Sequence, residues 1–272
     1  MYPFLKGHGT ENDFVLLPDH DGTVHGGLSP QEWSARVRAL CDRRAGIGGD
    51  GVLRVVRDGA LWVMDYWNAD GSVSEMCGNG IRVFARHLLE EGLVAADQPL
   101  PVQTRDGVKT IVFAGGPGGD ITVDMGEPRV LGATAVSIGH MTWEATHVDM
   151  GNPHAVAFVD SLSPDGPVGS LTTPPVVDGS VYPHGVNVEL VVPVGPGHVA
   201  MRVHERGSGE TRSCGTGACA VAVAAAVRDG AGPGSTYTVD LPGGTLVIEW
   251  TTEDRVLMTG PAVVVARGET GL

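Results

Sequence analysis

The sequence predicts a mixed α/β protein of the α+β kind, built from two similar domains that arose by internal duplication. Three observations carry this. Cys77-Gly78-Asn79-Gly80 and Cys214-Gly215-Thr216-Gly217 both read C-G-x-G, at an offset of 137 in a chain of 272 residues. At the same offset residues 63–68 fall on 200–205, so Asn68 and Glu205 each stand nine positions before their cysteine, and similarity repeated in a fixed order is the mark of a duplication. Finally, 41 glycines and 18 prolines punctuate short apolar runs, which implies many turns and short strands rather than a helical bundle.

In chain order, residues 4–17 read as a turn followed by a strand. Ser29-Pro30-Gln31-Glu32 is a capping box with proline at the first helical position, so a helix is expected over 30–41. Gly46-Ile47-Gly48-Gly49-Asp50-Gly51 matches G-x-G-x-x-G, yet a helix precedes it and a strand, 52–56, follows it. A dinucleotide loop needs the opposite order, so a turn is the reading here. A strand over 61–67 ends in the turn Asn68-Ala69-Asp70-Gly71-Ser72. The first C-G-x-G helix follows, with Ile81, Phe84, Ala85 and Leu88 on one face and Gly92 placed as a C-terminal cap. Residues 102–104 and 108–113 read as a hairpin, and Gly115-Gly116-Pro117-Gly118-Gly119 as a linker. The first domain is therefore placed at 1–116 and the second at 117–264.

The second half repeats this plan. Strands are expected at 120–125, after Gly151-Asn152-Pro153-His154, and at 186–192 and 199–204, with a Ser-, Thr-, Pro- and Gly-rich loop over 160–180. The second C-G-x-G helix, 218–228, is almost wholly small and apolar, hence buried on most sides, with Gly230 as its cap. Strands at 237–241, 245–250 and 256–266 close the chain.

Eighteen basic against 32 acidic residues give a net charge of −14, which argues against nucleic acid as a partner because phosphate binding needs a basic patch. The N-terminus lacks the apolar stretch of a signal peptide, and residues 218–227 are about half the length a membrane span needs. A cytoplasmic protein with reduced cysteines is expected. Ten histidines invite a metal site, but neither C-x-x-C nor H-x-x-x-H occurs, and none is predicted. Cys41 and Cys219 are assigned to packing.

The chemistry points to the other two cysteines. A helix N-terminus presents unpaired N–H groups and the positive end of the macrodipole, binds carboxylates, and lowers the pKa of a cysteine placed there. Two such ends in one cleft would grip a carboxylate and place a thiol on each side of the carbon attached to it. That suits stereoinversion at the α-carbon of an amino acid: one thiolate removes the proton and the opposite thiol returns one. N–H groups aimed at the carboxylate stabilise the charge that moves onto it as the proton leaves. No pyridoxal lysine is needed, and the chain has only Lys6 and Lys109.

On these residues the sequence closely resembles the diaminopimelate epimerase family over nearly its whole length. The resemblance rests on Gly9-Thr10-Glu11-Asn12-Asp13-Phe14, Asn68-Ala69-Asp70-Gly71-Ser72, Glu75-Met76-Cys77-Gly78-Asn79-Gly80, Gly151-Asn152-Pro153-His154, Val186-Asn187-Val188, and Glu205-Arg206-Gly207 with Cys214-Gly215-Thr216-Gly217-Ala218-Cys219. It implies two pseudo-symmetric domains, each a curved, mostly antiparallel sheet or barrel around a central helix, the last strand, 265–272, joining the first domain. It implies a cofactor-free, two-base interconversion of L,L- and meso-diaminopimelate, in lysine and peptidoglycan precursor synthesis, by a homodimer. Cys77 and Cys214 would be the acid–base pair, and the backbone at Gly78, Asn79, Gly215 and Thr216 would hold the reacting carboxylate. Asn12, Asn68, Asn152, Asn187, Glu205 and Arg206 would bind the rest of the substrate, and His154 and Glu205 would adjust the thiol pKa values. Two departures stand out. Gly51 occupies a place where some members carry a substrate-contacting Gln, and Glu11 stands where many have a shorter or apolar residue. Three other readings remain open at this stage: a proline racemase-like or phenazine-pathway-like isomerase, a non-catalytic amino-acid-binding module, and a thiol redox protein.

Overall fold

The computed structural model describes residues 1–116 and 118–272; Pro117 of the expected linker lies outside the described residues. The chain divides into two compact units, Met1–Val123 with Gly260–Leu272, and Asp124–Thr259. Each is mostly sheet.

The first unit contains β1 (Tyr2–Gly9), β2 (Asn12–Pro18), α1 (Pro30–Cys41), β3 (Gly51–Asp58), β4 (Leu61–Asn68), α2 (Gly78–Glu90), β5 (Leu100–Thr104), β6 (Gly107–Phe113) and the start of β7 (Ile121–Gly126). The second contains β8 (Arg129–Ile138), β9 (Met141–Asp149), β10 (Pro153–Phe158), β11 (Val176–Val177), β12 (Asn187–Gly195), β13 (His198–Glu205), β14 (Gly209–Thr211), α3 (Gly215–Arg228), β15 (Ser235–Leu241), β16 (Gly244–Trp250) and β17 (Val256–Gly260). The final strand, β18 (Val263–Thr270), belongs to the first unit.

The pairing exposes the duplication. In the first unit β18–β1 and β1–β2 are antiparallel, β2–β3 parallel, β3–β4 antiparallel, β4–β5 parallel, and β5–β6 and β6–β7 antiparallel. In the second, β8–β9 and β9–β10 are antiparallel, β10–β12 parallel, β12–β13 antiparallel, β13–β15 parallel, and β15–β16 and β16–β17 antiparallel. The two successions are identical. The second parallel step in each needs a crossover, which α2 supplies between β4 and β5, and α3 between β13 and β15. Among the described residues no pairing joins β7 to β18 or β17 to β8, so each unit is an open sheet rather than a barrel.

Both crossover helices are buried along nearly their whole length, α2 from Gly78 to Leu88 and α3 at eleven of its positions. Gly92 and Gly230 take φ of 67° and 68° just past the helix ends, the left-handed turn glycine adopts without a Cβ clash. The expected capping box forms, with Ser29 Oγ and the Glu32 backbone N–H 3.3 Å apart and Ser29 N–H 2.9 Å from Glu32 Oε2. Helix α1 buries Trp33, Val37, Leu40 and Cys41 against Val15, Leu17 and Val52 of β2 and β3. In the second unit the long stretch between β10 and β12 contributes Val168, Leu171 and Tyr182 to a cluster with Ala155, Ala157, Val188 and Leu190. Cys41 and Cys219 are buried.

Several segments differ from the sequence expectation, among them β9 and the short β11, where no strand was expected. Residues 4–17 form a hairpin of two strands, β1 and β2, whose tip carries Thr10 and Glu11 at φ of 48° and 61°, the backbone of a tight type I′-like turn. Strand β8 carries no alternating apolar signal, since its first five residues are exposed and its register shifts between Val130 and Gly132. The single strand expected over 256–266 is two, β17 and β18, separated at Pro261 and Ala262.

Candidate active site

The polar residues singled out by sequence gather at strand ends and at the two helix starts. Helices leave their first four N–H groups without intrahelical partners, so a helix start is a place where side chains and ligands meet the backbone.

In the first unit Cys77 is the N-cap of α2, with φ −142° and ψ 118°. Its sulfur accepts from Gly80 N–H at 3.5 Å, and its carbonyl accepts from Ile81 N–H at 2.9 Å. The thiol donates to Asn12 Oδ1 at 3.6 Å, and Asn79 Nδ2 donates to the same oxygen at 3.3 Å. Asn12, Cys77, Gly78 and Asn79 are thus brought together. Behind them lies Arg82, fully buried, which donates to Gly78 O at 3.1 Å, Asn79 Oδ1 at 2.8 Å and Pro261 O at 3.2 Å. A Cβ on Gly9 would lie 2.9 Å from Arg82 Nη2 and 3.0 Å from Asn79 O, so the turn before Asn12 closes on α2 only with glycine there. Asn68 is used differently: its Nδ2 donates to Ser72 Oγ at 3.0 Å within its own turn.

The Gly51 departure has a steric reason. A Cβ there would stand 2.5 Å from Trp67 O and 2.6 Å from the Tyr66 ring, so a longer residue requires β3 and β4 to move apart. Glu11, by contrast, is exposed at the hairpin tip, where side-chain size is unconstrained.

In the second unit Cys214 caps α3 in the same way, accepting from Gly217 N–H at 3.3 Å while its carbonyl accepts from Ala218 N–H at 2.9 Å. Thr216 Oγ1 lies 3.6 Å from the sulfur and accepts from Asn152 Nδ2 at 3.4 Å. Asn152 Oδ1 is 3.0 Å from His154 Nε2, and His154 Nδ1 is 2.7 Å from Glu189 Oε1. His154 and Glu189 are both completely buried. Asn187 Nδ2 donates to Pro153 O at 3.4 Å and its Oδ1 accepts from Arg206 N–H at 2.9 Å. The Arg206 guanidinium is exposed and donates to His184 O at 3.3 Å. Glu205 accepts from Thr211 Oγ1.

Glu189 escaped the sequence reading. Its signal was present: an acid within the apolar run Val186–Val192, on a strand whose neighbours are all buried. Charged residues stay buried only when paired, and the pairing with His154 lies 35 positions away.

A helix N-terminus favours a lowered thiol pKa, and Cys214 goes the other way. Burial pushes it well above the usual thiol range, and the Glu205 and Glu189 carboxylates push it further; the bonds from Thr216 and Gly217 offset only part. Charge removed from water next to two anions outweighs a helix dipole that acts only over the last turn. Cys214 therefore rests as a thiol.

No helix is long and apolar enough to cross a membrane among the described residues. The sequence profile described as diaminopimelate epimerase matches residues 4–131 and 146–265. The chain is 56% identical to the diaminopimelate epimerase of Streptomyces coelicolor (strain ATCC BAA-471 / A3(2) / M145), over 98% of this chain and 94% of that one. It is 47% identical to the diaminopimelate epimerase of Thermobifida fusca (strain YX), over 99% and 98%. Among solved structures, the phenazine biosynthesis protein of the PhzF family from Bacillus anthracis superposes with a TM-score of 0.75 over 100% of this chain and 99% of that one, at 16% identity. That likeness is one of fold.

Proposed function

We propose a function from one premise: this chain belongs to the diaminopimelate epimerase family. It is an isomerase that interconverts L,L-diaminopimelate and meso-diaminopimelate by a two-base route without pyridoxal phosphate, serving lysine and peptidoglycan precursor synthesis. The observation that carries the reading is the pair of cysteine-capped, glycine-rich helix starts at corresponding places in two units of identical strand succession.

In the direction from the L,L isomer, the Cys77 thiolate takes the α-proton and the Cys214 thiol delivers its own proton to the opposite face. One C–H bond breaks and one forms, and the enzyme is left with a Cys77 thiol and a Cys214 thiolate, the form that runs the reverse reaction. The raised pKa of Cys214 supports its assignment as the resting proton donor. Backbone N–H groups of Gly78, Asn79, Gly215 and Thr216 meet the reacting carboxylate, where charge grows in the transition state. Asn12, Asn68, Asn152, Asn187, Glu205 and Arg206 hold the remainder. The exposed Arg206 guanidinium offers a fork for the distal carboxylate. His154 acts on the Cys214 thiol through Asn152 and Thr216. We further propose a cytoplasmic homodimer.

The test is proton NMR of the reduced protein with L,L-diaminopimelate in deuterium oxide. Loss of the α-proton signal with appearance of the meso isomer is expected, and Cys77→Ala and Cys214→Ala should each abolish net epimerisation. A folded protein with titratable thiols that neither exchanges nor epimerises this substrate would overturn the reading.

A further inference from the structure

The loop Gly46-Ile47-Gly48-Gly49-Asp50-Gly51 has no part in the mechanism above, yet its Asp50 side chain ends on Asn12, whose amide oxygen accepts the hydrogen bond of the Cys77 thiol. We infer that Asp50 is a positioning residue, which locks the Asn12 amide so that its carbonyl faces the Cys77 thiol. The inference deepens the function proposed above and rests on Cys77 being one of its two bases.

The loop is fastened to the strands on either side. Asp50 N–H donates to Asp13 O at 2.7 Å, and Ala69 N–H donates to Asp50 O at 3.0 Å. Arg43 Nη2 lies 2.7 Å from Asp50 Oδ1, and the same guanidinium bridges both oxygens of Asp13 at 3.0 and 2.6 Å. Lys6 also pairs with Asp13, at 2.6 Å. These bonds leave Asp50 Oδ2 facing the hairpin, where it accepts from Asp13 N–H at 3.2 Å and Asn12 Nδ2 at 2.7 Å.

An amide is polar at both ends, and its orientation follows from its partners. With Nδ2 on the Asp50 carboxylate, Asn12 must present Oδ1 to Cys77 Sγ at 3.6 Å and to Asn79 Nδ2 at 3.3 Å. A flip would set the Asn12 carbonyl against a carboxylate. It would also set two NH2 groups together unless Asn79 flipped as well, and Asn79 Oδ1 is held by the Arg82 guanidinium at 2.8 Å. The chain Asp50–Asn12–Asn79–Arg82 therefore has an anion at one end, a cation at the other, and one consistent orientation between them. A carbonyl toward the thiol favours the protonated sulfur, whereas an amide N–H there would favour the thiolate. Asp50 thereby keeps the thiol the more populated form of Cys77 at rest, and the thiolate that takes the α-proton in the reaction proposed above is the minor form.

The experiment is a double-mutant cycle read by the rate of Cys77 alkylation with iodoacetamide at fixed pH, followed by mass spectrometry. It does not pass through turnover, so it fails or succeeds apart from the proposed reaction. Asp50→Asn frees Asn12 to flip and should raise the Cys77 rate several-fold. In an Asn12→Ala background the same substitution should change it by less than twofold, because its route to the sulfur is gone. Asp50→Ala, which leaves Arg43 on Asp13, is the second variant and should behave alike. An unchanged rate in the parent background would overturn the inference. So would an equal increase in both backgrounds, which a direct charge effect or a loosened loop would produce.

Discussion

Glu189→Gln should turn Cys214 into a far more easily ionised thiol. A Cβ built on Gly217 would lie 2.7 Å from Glu189 Oε1 and 3.2 Å from Cys214 Sγ, so oxygen and sulfur are at most 5.9 Å apart. Two unit charges at that distance repel by about 2.8 kcal/mol at an effective dielectric constant of about 20, about a hundredfold in thiolate population. The His154 ring beside the same carboxylate takes up part of the field, so the expected increase at fixed pH is about ten- to a hundredfold. Burial and Glu205 remain in the variant, so the thiol is still raised above its ordinary range. Glutamine keeps an oxygen for His154 and places an N–H₂ where Glu189 Oε2 has no partner among the described residues, so the fold should tolerate the change. The assay is thiolate absorbance near 240 nm as a function of pH in a Cys77→Ala protein, with the Cys214→Ala double variant subtracted. If the Glu189→Gln titration overlies that of its parent within twofold, the carboxylate does not act on Cys214.

Two further outcomes concern stability. Arg82→Met strips two buried acceptors, Gly78 O and Asn79 Oδ1, and the part-buried Pro261 O of a charged donor; a loss of about 3 kcal/mol in urea unfolding is expected, and a loss under about 1 kcal/mol would show that water replaces it. His87 is buried with neither ring nitrogen partnered among the described residues, and burial pushes its pKa down to about 4. The unfolded chain binds the proton first, so this contribution is full above about pH 6.5 and is lost as pH falls toward 4. The drop in unfolding free energy between pH 7.5 and 4.5 should shrink by about 2 kcal/mol in His87→Leu, and equal drops in variant and parent would refute it.

The sequence by itself determined the features that depend on near neighbours in the chain. The capping box at Ser29, the glycine caps at Gly92 and Gly230, the two cysteine-led helix starts and most strands follow from periods of 3.6 and 2 and from turn chemistry, which act over a few residues. Duplication was legible because order survives when identity fades. Strand β8 was missed for the same reason: with an exposed face and a shifted register at Gly132 it has no local pattern to read. Only the tertiary structure decided what happens between residues far apart. Asp50 reaches Asn12 across 38 positions, Glu189 meets His154 across 35, and Gly51 is confined by the strand opposite. The protonation of Cys214 belongs with these. A helix start favours the thiolate, and this can be read from sequence. Burial beside Glu205 and Glu189 favours the thiol and prevails, because the cost of a charge depends on how much water and which ions surround it, and those are fixed only when the chain is folded.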